Sequence, residues 1–569
     1  DHLLLRGPDT APSPRLLELA KRVPRRAVGT PIAGLATGRQ LIVAPDDPMQ
    51  RLHVEAKTGS LELLDGRTNH NNGWFIVRTA VPADRSRNAV EWVVTPNTVE
   101  DWEYTPVVQV SQLGYARSQP KRVIIEQDRR DQSRGQVEIW KLGADGGDLA
   151  LEGLPEHWDG DFLRYHYLSF DFSALTEPGM YIARYRGQSS HPFRIADDVY
   201  ARHAWQPTLE YYLPVQMCHM RVNEKYRVWH GNDHVDDARM APVELNHFDG
   251  YVQGESTLTR FEPGDPVPGL NAGGWHDAGD YDLRVESQIG TIWLLAQMIE
   301  EFGIDYDATL IDQDRKLVEI HEADGISDAH QQVEHGLRSV LGGYEALGRL
   351  YRGIIVPTKR QYVLLGDASV QTDNVAGNAD DRWVFTEDKP NRELVVAAGL
   401  AAASRVMRGY DDDLARRSLS AARELVDAAF DRADDAMART FALSELVQSS
   451  DDPRYLKKLI AMQDAIASNI GDTGWTLAKA MPRIDDAGFR DTIASAVARY
   501  QAELQEQALE TPYGVPYRPY IWGAGWGIQE FGVRQYYFRK GWPDATGSDF
   551  YVNALNFVLG VHPGENTMS

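Results

Sequence analysis

One cysteine, Cys218, is all the thiol that 569 residues carry. No disulfide can form within the chain, and no multi-cysteine zinc cluster can be built from it alone. Long apolar runs are missing too, none approaching the ~18 residues a membrane-spanning helix needs. Membrane insertion is therefore not expected. Positive charge is in deficit, 59 lysines and arginines against 83 aspartates and glutamates, for a net charge of −24. Such an excess repels phosphate backbones and anionic lipids, which argues against a nucleic-acid partner. Asp1 to Gly7 shows no basic stretch followed by an apolar one, so any export signal has been removed or was never there.

What is present is a chain well past the ~250–300 residues at which one hydrophobic core stops growing, so several domains are expected. Its 14 Trp, 25 Tyr and 16 Phe suit stacking on sugars as well as packing in cores. From Arg39 to Trp92, short runs such as Leu41-Ile42-Val43, Leu52-His53-Val54 and Trp74-Phe75-Ile76-Val77 are broken by Asp, Asn, Gly and Pro. They read as strands joined by turns, with one short helix expected over Pro12 to Arg26. A second β-rich stretch carries Arg122 to Ile125, Val137 to Trp140 and Tyr181 to Tyr185, spaced as in an immunoglobulin-type sandwich. After Tyr200 the texture changes. Ile289 to Phe302, Asn391 to Arg408, Leu414 to Arg432 and Ile484 to Leu509 are rich in Ala and Leu at helical spacing and free of proline. Three regions are expected: a β-rich module of uncertain role over residues 1–104, a β-sandwich over 105–198 and a helical domain over 199–569.

The sharpest constellation precedes the first of those helices: Gly273-Gly274-Trp275-His276-Asp277-Ala278-Gly279-Asp280-Tyr281. Two carboxylates three residues apart around Ala-Gly can converge on one point, because the small pair lets the backbone turn tightly. A water held there could lose its proton to one carboxylate and be oriented by the other, the work of the general base side of an inverting glycosidase. Helix capping alone needs one Asp, and this segment spends two, with three glycines and a tryptophan.

The segment strongly resembles the signature of glycoside hydrolase family 9, inverting cellulases with an (α/α)6 barrel. Val108 to Tyr115 (Val-Gln-Val-Ser-Gln-Leu-Gly-Tyr) resembles the start of the immunoglobulin-like domain that precedes the barrel in one branch, and Tyr362 to Asn374 and Ala397 to Arg408 resemble its middle region. The resemblance implies N-terminal β-sandwich modules followed by an all-α (α/α)6 barrel. It implies Asp280 as catalytic base and Asp277 as the Asp sharing its water. The family's general acid is a glutamate in an Asn-Glu context near the C-terminal end of the barrel, and no such segment is found here. Phe557 to Asn566 resembles the loop preceding it, so the acid and the closing part of the barrel are expected beyond Ser569. Glu565 has the wrong neighbours for that role.

Aromatic residues crowd Tyr513 to Trp542, the stretch that in the family contributes to the sugar cleft. Trp522 and Trp526, each followed by glycine on a loop-like segment, are the expected platforms, with Trp275, His276 and Tyr281 beside the base. His230 to Asp237 and His247 to Asp249 gather imidazoles and carboxylates. Some members of the branch carry zinc through cysteines and histidines there, together with calcium; with Cys218 alone, structural calcium through Asp233, Asp236, Asp237 and Asp249 is the expectation. No cofactor is needed for the chemistry. The resemblance implies a secreted or periplasmic enzyme acting on β-1,4-linked glucan or gluco-oligosaccharides, as an endoglucanase or an exo-acting glucosidase. The long polar segment Trp229 to Pro268 would wall one end of a cleft and leans toward exo action. An exo-β-glucosaminidase on chitosan-type oligosaccharides, and a non-catalytic carbohydrate-binding protein, are the alternatives. Oligomeric state stays open.

Overall fold

Alternating apolar and polar residues build two β-units before the helices begin. The computed structural model describes residues 33–65, 75–144, 146–230, 234, 238–242, 258–270, 272–276, 282–355, 375, 382–518 and 523–564. In the first unit Ala33–Gly38, Leu61–Asp65 and Phe75–Arg78 form one antiparallel sheet, and Gln40–Val43, Leu52–Ala56 and Trp92–Pro96 another. Val54, Ala56 and Leu61 are its buried core, with Trp92 packed against them. The helix expected over Pro12 to Arg26, and Trp74, lie outside the described residues.

In the second unit one sheet runs Asp148–Gly153, Val137–Lys141, Gly179–Tyr185, Gln188–Ser189, with Phe193–Ile195 also paired to Gly179–Tyr185. The other sheet runs Glu156–His157, Tyr165–Asp171, Arg122–Asp128, Val107–Gln109. Val123, Ile125, Ile139, Leu168, Tyr181 and Phe193 share the core between them. The Ser111-Gln112-Leu113-Gly114-Tyr115 segment closes a tight corner. The Ser111 N–H donates to the buried Tyr115 hydroxyl at 2.9 Å, and a Cβ on Gly114 (φ +111°) would stand 2.0 Å from Arg194 O.

Among the described residues twelve α-helices follow: α1 Arg202–Glu210, α2 Val285–Phe302, α3 Asp328–Leu347, α4 Pro390–Val406, α5 Asp412–Ala429, α6 Ala436–Ser449, α7 Pro453–Ala461, α8 Gln463–Ser468, α9 Ile470–Ala478, α10 Ala487–Ala508, α11 Ala524–Gly541 and α12 Asp549–Val558. Their ends carry the expected punctuation. Asp411, Asp435, Asp452 and Asp486 cap α5, α6, α7 and α10 by accepting backbone N–H groups of the first turn. Gly303 and Gly348, at φ +61° and +69°, end α2 and α3 in the left-handed conformation.

Alternate helices pack in succession, α2 on α4, α4 on α6, α6 on α9 and α9 on α11, while α3, α5 and α10 pack against them. Small side chains allow this: α4 buries Ala397, Ala398, Ala401, Ala402 and Ala403, as a helix surrounded by others must. Trp293 of α2 meets Phe441 of α6 at 5.3 Å, Trp475 of α9 at 5.4 Å and Tyr537 of α11 at 6.1 Å between ring centroids, so α11 returns to α2. Glu300 and Glu301, Arg405, Gln448, Lys479 and Lys540, from the C-terminal ends of α2, α4, α6, α9 and α11, line one cavity of about 760 Å³. The five helices therefore run parallel, and their N-termini face the other end. Arginines serve carbonyls of the last turns of α6: Arg405 Nη1 donates to Glu445 O at 3.2 Å, Arg408 Nη2 to Ser449 O at 3.1 Å and Arg483 Nη1 to Val447 O at 3.0 Å.

The expectation of an all-α region after residue 199 is corrected by two four-stranded sheets. One runs Arg227–Trp229, Arg221–Glu224, Leu317–Ile320, Thr309–Asp312, and the other Arg239–Met240, Trp383–Thr386, Tyr351–Ile355, Leu283–Arg284. The second leads directly into α2 and α4. The sandwich unit meets the helices through Ile124 and Tyr167 against Tyr513, Val515, Ile528, Ala554 and Val561. At this contact Glu126 accepts hydrogen bonds from the hydroxyls of Tyr104 (2.8 Å) and Tyr167 (2.9 Å) and from the Gly564 N–H (3.2 Å).

Candidate active site

Gly273 to His276, the described start of the signature, lie against α3 and the first turn of α2, at the N-terminal end of the parallel helices. Asp277, Asp280 and Tyr281 lie outside the described residues, and so do Trp522, Asp233, Asp236, Asp237, Asp249 and the Tyr362 to Asn374 stretch. The flanks on both sides are described, and they are tightly held.

Gly273 and Gly274 have φ of +72° and +91°, and both press against α3. A Cβ on Gly273 would stand 2.1 Å from His335 O, and one on Gly274 3.0 Å from Gln288 Oε1. Only glycine fits either place. The His276 N–H donates to Val215 O at 3.1 Å, and the His276 ring lies 6.0 Å from that of buried His234. His276 is half-buried.

Trp275 is a correction. Expected as a sugar platform, it is 3% exposed and belongs to the core of the helical region. Its indole N–H donates to Gln332 Oε1 at 3.1 Å, and its ring meets Tyr212 and His335 edge-on, each at 5.7 Å. A ring so enclosed presents no face to a pyranose. Trp526 is 68% exposed and stands on the first turn of α11, at the same end of the helix set as the signature. The loop expected around it is thus the start of a helix, capped by Gly523 at φ +76°.

Beyond the signature, buried Asp282 pairs with Arg284 at 2.7 Å, and Leu283–Arg284 bonds the strand Tyr351–Ile355. Glu286, in the first turn of α2, binds Arg352 and lies 3.1 Å from Arg392, which in turn holds Glu387. Burial pushes the Glu387 carboxyl above its usual range, against the pull of Arg392 and Arg352. Two carboxylates and two guanidinium groups balance, so the network stiffens the entry to α2 and α4 without imposing net charge on the neighbouring site.

Gln288 and Gln332 are residues that the sequence reading missed, although a signal existed: each is an amide placed among Ile289, Ile292, Val333 and Leu337, on the core-facing stripe of its helix. Among the described residues no three His, Cys, Asp or Glu side chains converge as a metal cluster requires. Cys218 is buried, its Sγ 3.1 Å from His219 Nδ1.

With this geometry in place, likeness to known proteins decides the lineage. The description of glycosyl hydrolase family 9 matches residues 203–560. The chain belongs to glycosyl hydrolase family 9. The cellulase N-terminal ig-like domain matches residues 103–190, the sandwich described above. The xyloglucan-specific endo-β-1,4-glucanase BoGH9A of Bacteroides ovatus is 25% identical over 458 residues, 73% of this chain and 72% of the relative. A metagenome-derived family 9 endoglucanase shares the fold at TM-score 0.59 and 19% identity, over 80% of this chain and 84% of its own. The family 9 protein of Bacteroides ovatus does so at TM-score 0.59 and 18% identity, over 79% and 84%. This family 9 glycoside hydrolase thus keeps the signature on a helical frame led by an ig-like domain.

Proposed function

We propose that the enzyme hydrolyses β-1,4-linked glucan with inversion at the anomeric carbon, in a cleft at the N-terminal end of an (α/α)6 barrel. Asp280 takes the proton of the attacking water and Asp277 holds that water from the other side. The observation carrying this reading is the signature itself, flanked by backbone that is locked to α2 and α3 immediately before the two aspartates. Helix N-termini carry partial positive charge, which suits a carboxylate that must stay ionised to act as base. As the glycosidic bond breaks, the departing sugar oxygen takes a proton from a general acid, a role assigned to none of the 569 residues.

His276 and Trp526 are the described residues proposed to meet sugar, joined by Tyr281 and Trp522. The names of the relatives favour endo action on a β-1,4-glucan backbone, with xyloglucan among the candidates. Residues 105–198 are assigned to the ig-like domain, 199–569 to the catalytic domain and 1–104 to a separate module. Secretion or a periplasmic location accords with a polysaccharide substrate. Among the described residues no helix is long and apolar enough to cross a membrane. The oxygen-rich set Asp233, Asp236, Asp237 and Asp249 suits calcium rather than zinc, and chelation is expected to lower the Tm.

The test is hydrolysis by the full-length protein of cello-oligosaccharides, carboxymethylcellulose, xyloglucan and chitosan oligosaccharides, with Asp280→Asn in parallel. Cleavage of the glucans, lost by ~10²–10⁴-fold in the variant, is expected. Binding of glucans without any hydrolysis would replace the enzyme by a carbohydrate-binding protein.

A further inference from the structure

Gln288 stands one turn into α2 and His335 two turns into α3, and both turn their side chains onto adjacent peptide units. The Trp275 N–H donates to Gln288 Oε1 at 2.9 Å, and Gln288 Nε2 donates back to Trp275 O at 2.8 Å. One residue earlier the Gly274 N–H donates to His335 O at 3.1 Å, and His335 Nε2 donates to Gly274 O at 2.8 Å. The other ring nitrogen, Nδ1, faces the Gln313 amide at 3.2 Å, which suits the tautomer with its hydrogen on Nε2. Gln288 is 1% exposed and His335 fully buried. Gln288 therefore does for this irregular backbone what a neighbouring strand does in a sheet, its side chain satisfying a donor and an acceptor that water cannot reach, while His335 does so with its backbone carbonyl for the donor and its ring for the acceptor.

The placement is specific. Asp277 follows Trp275 by two residues, and Asp282 follows Asp280 by two. Gln288 and the Leu283–Arg284 strand belong to one continuous segment that runs into α2, so the bonds to Trp275 tie the start of the signature to the helix that receives its end. We propose that Gln288 and His335 are positioning residues for hydrolysis, clamping the Gly274-Trp275 peptides so that Asp277 and Asp280 are delivered to the reacting water in fixed register. This inference rests on the assignment of Asp280 as base. Misplacement of a catalytic group by about 1 Å costs ~10²-fold in rate, so a clamp acting on the peptides beside the aspartates is read in turnover before it is read in binding.

Gln332 provides the matched comparison. It lies at the same depth and bonds the same tryptophan, but through the indole N–H and not the peptide. The experiment measures kcat and KM of the full-length protein on cellotetraose, with thermal unfolding, for Gln288→Leu, His335→Leu, His335→Gln, Gln332→Leu and Asp280→Asn. Gln288→Leu and His335→Leu are expected to lose ~10²-fold in kcat with KM nearly unmoved. His335→Gln, whose amide can still donate to Gly274 O, falls less than His335→Leu. Gln332→Leu lowers the Tm while keeping kcat close to the parent. Should Gln288→Leu fail to fold, Gln288→Met takes its place, since an unbranched thioether of similar length cannot donate to Trp275 O, and the same loss is expected. Parental kcat in the Gln288 variant, or an equal loss in Gln332→Leu, overturns the clamp while leaving the base in place if Asp280→Asn is inactive. Full activity in Asp280→Asn instead overturns the base assignment on which the clamp depends.

Discussion

Gly336 of α3 lies so close to the Trp275 ring that a Cβ there would stand 2.6 Å from ring carbon Cη2, and 2.6 Å from Ile292 Cγ1 on the other side. The missing side chain is the slot in which the signature tryptophan is seated. Gly336→Ala is expected to overpack this slot and destabilise the protein by about 1–3 kcal/mol. Denaturant unfolding checks the loss, and an unchanged midpoint would mean that the ring moves freely.

That slot also marks the boundary of what the sequence reveals. The helices over Ile289 to Phe302, Asn391 to Arg408 and Leu414 to Arg432 are legible because apolar residues recur at helical spacing, and α2, α4 and α5 fall within a few residues of them. The strands at Arg122 to Ile125 and Tyr181 to Tyr185 are legible for the matching reason. Trp275 beside two aspartates reads as a cleft residue, and nothing local contradicts that. Its burial is decided by Gly336, Tyr212 and Gln332, which lie about sixty residues away in either direction. The two small sheets among the helices are equally hidden: Arg221–Glu224 pairs in parallel with Leu317–Ile320, nearly a hundred residues on, and neither strand is long enough to show a period of two.

Glu445 of α6 is buried within a charge cluster. Its carboxylate binds Arg405 Nη2 at 2.6 Å, accepts the Trp293 indole N–H at 2.9 Å and lies 3.7 Å from Lys479 Nζ. Removing it leaves the buried cations Arg405 and Lys479 with the Glu300 carboxylate as their shared counter-charge, while Arg405 keeps its hydrogen bond to Ser449 Oγ. Glu445→Ala is expected to cost about 3–5 kcal/mol, measured by denaturant unfolding. A loss below about 1 kcal/mol would show that Arg405 finds another partner.

His335 gives the stability a pH signature. Burial holds its imidazole neutral, with the pKa pushed down from 6.5 to about 4. The folded state therefore binds fewer protons than the unfolded state between those values. The contribution is complete above pH 6.5 and is lost progressively as pH falls toward 4, by on the order of 3 kcal/mol. His335→Gln should remove that part of the slope between pH 6.5 and 4. An identical slope in the variant would assign the acid sensitivity to other groups.

Gly560 brings the end of the helical region onto the ig-like domain. The Gln112 N–H donates to Leu559 O at 2.8 Å, and a Cβ on Gly560 (φ +127°) would lie 2.9 Å from Val110 O. Gly560→Ala is expected to loosen this contact, so that scanning calorimetry resolves the ig-like domain and the helical domain as separate transitions. A single unshifted transition would show the contact to be dispensable.

The central claim is inversion by a water that Asp280 deprotonates. The most direct measurement is the anomeric configuration of the first-formed product from a β-1,4-gluco-oligosaccharide, followed by proton NMR before mutarotation sets in. Attack by water on the face opposite the leaving group converts the β linkage into an α-configured reducing end, so the α anomer is predicted to appear first and to be absent with Asp280→Asn. A β anomer appearing first would require a covalent intermediate and would contradict the account.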